Sequence, residues 1–246
     1  MKLGVMQPYF FPYIGYFQLM NYVDEWVIFD EVQFIDKGWM NRNRVLHPDL
    51  SKQWQFITVP LAKRGQFDRV MDINIVRDPS WRDAIMGKLT AYRKAPFYRE
   101  TAAFVHDCLA DAPESLNALL ESTLRKTASY LNISTPISVQ SRQAWALPEV
   151  THAGQWAVEI SKVKGANSYV NPIGGSGIFR QAEFDAAGVE LKFLKPTLRS
   201  YVQYRGGDFV EGLSIIDVLM WNDKAALEQM LKQDFTLLSK QQVEHG

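Results

Sequence analysis

Two spacings of apolar residues divide the chain. Compact apolar runs bounded by polar or turn-forming residues recur near both ends, and apolar residues three or four apart fill the middle. Residues 2–6 read as a short buried strand, and residues 26–30, opening on Trp26-Val27-Ile28-Phe29, as a second. Residues 13–22 between them fit a helix, with Pro12 in its first turn, where a missing N–H costs nothing. Residues 45–47 and 54–60 flank the turn-rich 48–52 and read as a hairpin. Residues 71–76 alternate with a period of two and predict another strand.

The middle is helical. Residues 79–94 follow Asp78, a capping residue, and stop before Pro96; residues 97–110 form the next helix. Leu116, Leu119, Leu120, Leu124 and Leu131 mark a third over 114–131, with Asn132 as its C-terminal cap. Strands and helices then alternate again: strand 136–141, helix 154–164 stopped by Gly165, strand 168–171, helix 179–187 ending at Gly188, strand 189–194, and helices 213–221 and 224–232. The pattern predicts an α/β protein: a mostly parallel Rossmann-like sheet with a helical middle section. Residues 1–78 and 133–240 would form the α/β core carrying the site, residues 79–132 a helical insert or subdomain, and residues 241–246 a frayed tail.

Composition narrows the function classes. A chain of 246 residues is long enough for a substantial core. Lys+Arg 27 against Asp+Glu 27 leaves no net charge, which argues against general DNA or RNA binding. The single Cys108 excludes an intramolecular disulfide framework and a cysteine-rich zinc site, and inside a helix it reads as a small packing residue. His47, His106, His152 and His245 lack zinc-ligand spacing to one another, and no Gly-x-Ser-x-Gly nucleophile elbow is present. No signal peptide and no apolar run of spanning length is visible, so the expected location is the cytoplasm, with no membrane span. Aromatic residues make up 13% of the chain, and some of those rings are expected in a ligand pocket.

Five stretches carry candidate chemistry. The first strand runs into Gln7-Pro8-Tyr9-Phe10-Phe11-Pro12-Tyr13-Ile14-Gly15-Tyr16, whose amide and hydroxyls need partners if buried, so Gln7, Tyr9 and Tyr13 are candidate ligand contacts. Asp30 and Glu31 follow the second strand, with Gln33 beyond them. A carboxylate at a strand end suits a general base, and Asp30, directly ending the apolar run, is the preferred one. In Trp39-Met40-Asn41-Arg42-Asn43-Arg44, the arginines offer forked donors for a phosphate or carboxylate, and Trp39 adds a ring. Asn41 and Asn43 fall on one side of an extended chain there and Arg42 and Arg44 on the other; a solvated loop would carry the same letters. Asn171-Pro172-Ile173-Gly174-Gly175-Ser176-Gly177 can present backbone N–H groups to an anion but lacks the Lys-Ser/Thr ending of a P-loop. Finally, Gln203 lies in Tyr201-Val202-Gln203-Tyr204, and Ser214 with Asp217 three positions on reads as a variant capping box.

Tyr13-Ile14-Gly15-Tyr16 at a helix start resembles the His-x-Gly-His signature of nucleotidyltransferase-type Rossmann-like enzymes, the pantothenate synthetase group included. Tyrosine stands at both histidine positions and carries no positive charge at neutral pH, so the resemblance implies the fold rather than ATP-dependent adenylyl transfer. Over nearly the whole chain, MQPYFFPYIGYFQLM, FDEVQFIDKGWMNRNRV, ITVPL, AYRKAPFY, GANSYVNPIGGSGIF with the following AEFDAAGVELKF, and SYVQYRGGDFVEGLSIIDVL resemble the WbqC-like family. That resemblance implies a bacterial surface-polysaccharide (O-antigen) role, with glycyl or other amino-acid transfer to an amino sugar as the activity proposed for the family. It brings no catalytic residue set.

The expected reaction is therefore aminoacyl or acyl transfer to a nucleotide-linked amino sugar. Asp30 would be the base. Asn41, Asn43 and the Gly174-Gly175 backbone would serve as oxyanion donors, and Arg42 or Arg44 as anion anchor. No cofactor is required by the sequence; ATP or an activated amino-acid carrier is open as donor, with a carrier protein or tRNA as macromolecular partner. The rival expectation is a non-catalytic sugar-nucleotide or carrier-binding protein on a degenerate nucleotidyltransferase-like fold.

Overall fold

The computed structural model describes residues 1–49, 51–203 and 208–245; Leu50 of the hairpin turn, residues 204–207 (Tyr204 among them) and Gly246 lie outside the described residues. A six-stranded sheet organises the molecule. Its strands are β1 (Lys2–Met6), β2 (Glu25–Ile28), β5 (Ile137–Val139), β6 (Ser168–Pro172), β7 (Glu190–Pro196) and β8 (Phe235–Ser239), in the order β5-β2-β1-β6-β7-β8. All neighbours are parallel except β7 and β8. The chain starts in the middle, moves outward through β2 to β5, then returns to β6 on the other flank of β1. A cleft opens at the carboxyl ends of the strands where such an order reverses.

Buried strands covered on both faces explain the continuous apolar runs. Leu3 and Val5 of β1 and Val27 of β2 face one core, shared with α5 (Gln155–Lys164) and α6 (Gln181–Ala186). Trp26 and Ile28 face the other, with α1 (Ile14–Tyr22), α2 (Ser80–Leu89), α3 (Tyr98–Ala110), α4 (Leu116–Tyr130), α7 (Ile215–Trp221) and α8 (Lys224–Gln233). The antiparallel pair β3 (Arg42–Leu46) and β4 (Trp54–Thr58) is a separate hairpin sheet packed into this second core. Gly4 is needed on β1 because Trp26 lies 2.9 Å from where a Cβ would stand. Gly165 ends α5 in the left-handed conformation (φ 63°), as its place after the helix predicts.

Two expectations change, and one strand is new. Residues 71–76 do not form a strand. A 3-10 turn spans Val70–Asp72, and the backbone bonds of this stretch go to different neighbours: Val70 N–H to Val32 O, Ile75 N–H to Glu114 O and Val76 N–H to Pro60 O. Alternation alone cannot make a strand without one continuous partner. β8, which carries no sequence expectation, adds an antiparallel edge to the sheet. The tail is a helix, α9 (Lys240–His245), rather than frayed: Lys240 Nζ donates to Ser176 O at 2.9 Å and Val243 packs on the α5–α6 core.

Candidate functional site

A cleft of about 730 Å³ sits at the carboxyl ends of β1, β2 and β6, at the reversal point of the sheet. Its floor is the loop after β1. Phe11 takes a left-handed conformation there (φ 41°), which a bulky residue adopts only when its surroundings impose it. The surroundings are explicit. Asn43 Nδ2 donates to Phe10 O (3.0 Å) and Phe11 O (2.9 Å), Ser214 Oγ donates to Phe11 O (2.8 Å), and Phe10 N–H donates to Trp39 O (2.9 Å). The clamp turns the chain so that Gln7, Tyr9 and Tyr13 line the cleft. Gly15 lets the Tyr13 ring lie flat against α1, since a Cβ would collide with that ring and with Pro196.

Tyr13 and Tyr16 therefore differ in role. Tyr16 is buried, with its hydroxyl pKa well above the ordinary range through desolvation, and donates to Gln7 O at 3.0 Å. That donor is spent on the backbone. Both rings line the cleft, so the difference lies in the Tyr16 hydroxyl alone.

Arg44 projects from β3 into the cleft. Its guanidinium lies 5.3 Å from the ring centres of both Trp39 and Trp54. Nη2 donates to Gly212 O at 3.1 Å, while Nε is buried without a hydrogen-bond partner among the described residues. No carboxylate pairs with Arg44 among the described residues. Gly212 has φ 63°, which glycine adopts without strain, and a Cβ there would come within 3.4 Å of Nη2.

Glu31 supplies the negative charge of the cleft. It accepts from Gln140 Nε2 at 3.0 Å, lies 3.7 Å from Arg69, and keeps a side-chain exposure of 38%. Across the cleft, Asn171 Oδ1 accepts from Tyr169 OH (3.0 Å) and Asn171 Nδ2 donates to Pro172 O (3.0 Å). A Cβ on Gly175 would collide with Asn171 Nδ2, and one on Gly154 with the Ile178 carbonyl, so glycine lets the 3-10 turn Ile173–Ile178 approach α5 and β6 closely.

Ten of the residues singled out from the sequence line the cleft: Gln7, Tyr9, Tyr13, Gln33, Trp39, Asn43, Arg44, Asn171, Gly174 and Gly175. Asp30, Asn41, Arg42 and Gln203 do not. Asp30 is fully buried and accepts from Asn117 Nδ2 (2.6 Å), Ser141 N–H (3.0 Å) and Ser141 Oγ (2.6 Å). Trp26, Ile28 and Asp30 share one side of the second strand's path; Val27, Phe29 and Glu31 share the other, and of these six only Phe29 and Glu31 line the cleft. Asn41 lies outside the cleft lining and donates from Nδ2 to Val59 O at 2.9 Å, and both amide hydrogens of Asn43 are held by the two carbonyls of the clamp, so neither residue offers an oxyanion donor there. Arg42 stacks on Phe56 (4.1 Å to the ring centre) and donates to the carbonyls of Gly38 (3.3 Å) and Lys37 (2.5 Å).

Gln203 belongs to a buried network around Asp217: its Nε2 donates to Asp217 Oδ2 at 2.8 Å and to Val210 O at 3.2 Å. Ser214 caps α7, accepting from Ile216 N–H at 3.2 Å, but the Asp217 side chain turns inward to Gln203 and Tyr201 instead of completing a capping box. Cys108 is buried, and desolvation pushes its thiol up to about 12, the mark of a packing residue.

Phe29, Trp156 and Ile178 also line the cleft. Trp156 sits on a helix whose amphipathic pattern accounts for it as ordinary packing, so no sequence signal distinguishes it. Among the described residues no group of three or more His, Cys, Asp or Glu side chains is placed to hold a metal ion, and no helix is long and apolar enough to cross a membrane.

No solved structure matches the chain significantly. The uncharacterized protein Rv1507c of Mycobacterium tuberculosis is 27% identical over 221 residues, covering 89% of this chain and 92% of that protein. The profile of the WbqC-like protein family matches residues 7–229, from the cleft-forming loop after β1 to α8. The chain belongs to the WbqC-like protein family.

Proposed function

We propose that the cleft is the active site of an acyltransferase that moves an aminoacyl (glycyl) or acyl group onto the amine of a nucleotide-linked amino sugar, in bacterial surface-polysaccharide (O-antigen) assembly. The observation that carries this reading is the meeting of a carboxylate, Glu31, and a guanidinium, Arg44, that has no carboxylate partner among the described residues, in one aromatic-walled cleft at the reversal point of the sheet. The volume falls in the range of small-molecule sites, about 300–1,000 Å³. Glu31 replaces Asp30 as the base, because Asp30 is enclosed by its own donors.

The sugar amine attacks the carbonyl carbon of an activated acyl donor. An N–C bond forms, the bond from that carbon to the leaving oxygen or sulfur breaks, and the amine proton passes to Glu31. Arg44 pairs with a phosphate of the sugar nucleotide. Gln7 is the amide best placed to meet the developing oxyanion: it lines the cleft, and its N–H groups have no acceptor among the described residues. No Ser, Thr, Cys, Lys or His lines the cleft among the described residues, which favours direct attack without an acyl-enzyme. The donor is an adenylate, a carrier thioester or an aminoacyl-tRNA.

A second reading is a non-catalytic sugar-nucleotide or carrier-binding protein. The locked Tyr16 hydroxyl favours it, since one of the two positions that resemble triphosphate-binding histidines is committed to the backbone. Incubation with amino-sugar nucleotides and glycyl adenylate, glycyl thioester or glycyl-tRNA, followed by mass spectrometry, separates the two. A glycylated sugar nucleotide made by the parent and lost in Glu31→Gln supports transfer. Tight sugar-nucleotide binding with no product from any donor would refute it and leave the binding protein.

A further inference from the structure

The cleft has two chemically different ends. Alternation along β1 places Val5 in the α5–α6 core and Met6 against the opposite one, so a cleft lined by both passes across the edge of the sheet. On the β3 side stands Arg44. Its guanidinium is near two indole rings, bonded to a single carbonyl, and has a buried Nε without a partner among the described residues. A guanidinium shielded in this way is poorly hydrated and gains most from a doubly charged or bidentate oxyanion. On the α5 side stand Trp156 and Phe29, with ring centres 5.8 Å apart and planes tilted by 51°. Ile178 lies beside them with half its surface exposed, an unusual state for an isoleucine next to two open rings. That end offers flat apolar surface, and Arg44 is the one cation that lines the cleft among the described residues. A free amino acid or a sugar phosphate would use the arginine and leave the indole bare.

We propose that the cleft is a nucleoside diphosphate site, with the base lying on Trp156 beside Phe29 and Ile178 and the diphosphate on Arg44. This rests on the reading of the acceptor as nucleotide-linked and gives each part of it a place. The base is read by stacking, which tolerates any flat heterocycle. The diphosphate is read by charge-assisted hydrogen bonds. The amino sugar beyond the diphosphate then projects into the remaining space, where Glu31 and Gln7 line the wall.

The test is calorimetric titration of the whole protein with UDP, dTDP, CDP, GDP and ADP, and separately with inorganic pyrophosphate, with no acyl donor present. At least one nucleoside diphosphate should bind more tightly than pyrophosphate. Trp156→Ala should weaken that nucleotide about tenfold or more while leaving pyrophosphate within twofold, and Trp156→Phe should restore most of the loss. Arg44→Ala should weaken nucleotide and pyrophosphate alike. Failure of all five nucleotides to bind overturns the proposal, as does equal loss of nucleotide and pyrophosphate in folded Trp156→Ala. The outcome is separable from acyl transfer. Glycylation of an amino sugar that no nucleoside diphosphate inhibits would sink this site and spare the transferase, whereas nucleotide binding without product would do the reverse.

Discussion

Asp217 is the most perturbed carboxylate of the molecule, and its titration can be read as stability. It lies on α7 with no exposed surface. Desolvation drives its pKa from the ordinary 3.8 up to about 6, against the pull of the donors Tyr201 and Gln203. Replacing it by asparagine keeps the shape and removes the titration. The difference between 3.8 and about 6 is roughly 2 pH units, which at about 1.4 kcal/mol per unit corresponds to about 3 kcal/mol. The sign follows from proton counts. Between those two values the folded chain holds a proton on Asp217 that the unfolded chain has released. Stability from this group is complete below pH 3.8 and is lost as pH rises through about 6.

Urea unfolding followed by tryptophan fluorescence, on the parent and on Asp217→Asn, should therefore be run from about pH 4 to 8. Other groups titrate equally in both proteins and cancel. The parent should lose about 3 kcal/mol relative to the variant between about pH 4 and 6.5, and the difference should stay level above that. A difference that is constant across the range, or one that moves in favour of the parent as pH rises, would refute the reasoning.

Asp30→Ala should act on stability, lowering it by about 3 kcal/mol, because Asn117 and Ser141 lose a shared buried acceptor; a melting temperature equal to the parent's would show the network to be slack. Glu31→Gln should abolish transfer while changing sugar-nucleotide affinity less than threefold, and a variant with more than a tenth of parental turnover would dismiss Glu31 as the base. Arg44→Ala should weaken sugar-nucleotide binding about ten- to a hundredfold and reduce its salt dependence, with Arg44→Lys recovering part and Arg42→Ala staying near the parent; isothermal titration decides, and the reverse ranking of Arg42 and Arg44 would move the anchor. Asn43→Ala should cost about 2 kcal/mol by leaving the Phe10 and Phe11 carbonyls without that donor, visible as a lower urea midpoint.

The sequence announces the parallel sheet because its strands are short apolar runs followed by turn and helix signals, and caps such as Gly165 and Asn132 do end their helices in the left-handed conformation. β8 escapes because Phe235-Thr236-Leu237-Leu238 follows a helix with no turn residue more distinctive than Asp234. α9 escapes because its stability comes from contacts outside itself: Lys240 reaches Ser176, and Val243 reaches a core assembled from residues far away in the chain. A polar hexapeptide has no local reason to be helical.

The site was legible as segments and not as side chains, for a reason rooted in the strands themselves. A strand with one wet face tells a reader which residues point inward. β2 has no wet face in its centre, with Trp26, Val27 and Ile28 all buried, so nothing in its pattern says whether Asp30 or Glu31 continues toward the cleft. Being nearest the apolar run placed Asp30 nearest the core, where neighbours on α4 and after β5 enclose it, while Glu31 fell on the side that opens. The same rule separates the two arginines less simply. Arg44 pairs directly with Phe56, and Arg42 stacks on that same ring, so both lie on one face, as alternation requires. What parts them is the loop before β3: its Lys37 and Gly38 carbonyls capture Arg42, and two tryptophans hold Arg44 toward the cleft. Strand period fixes a face, but the use of a residue on that face depends on which carbonyls and rings the rest of the fold brings beside it.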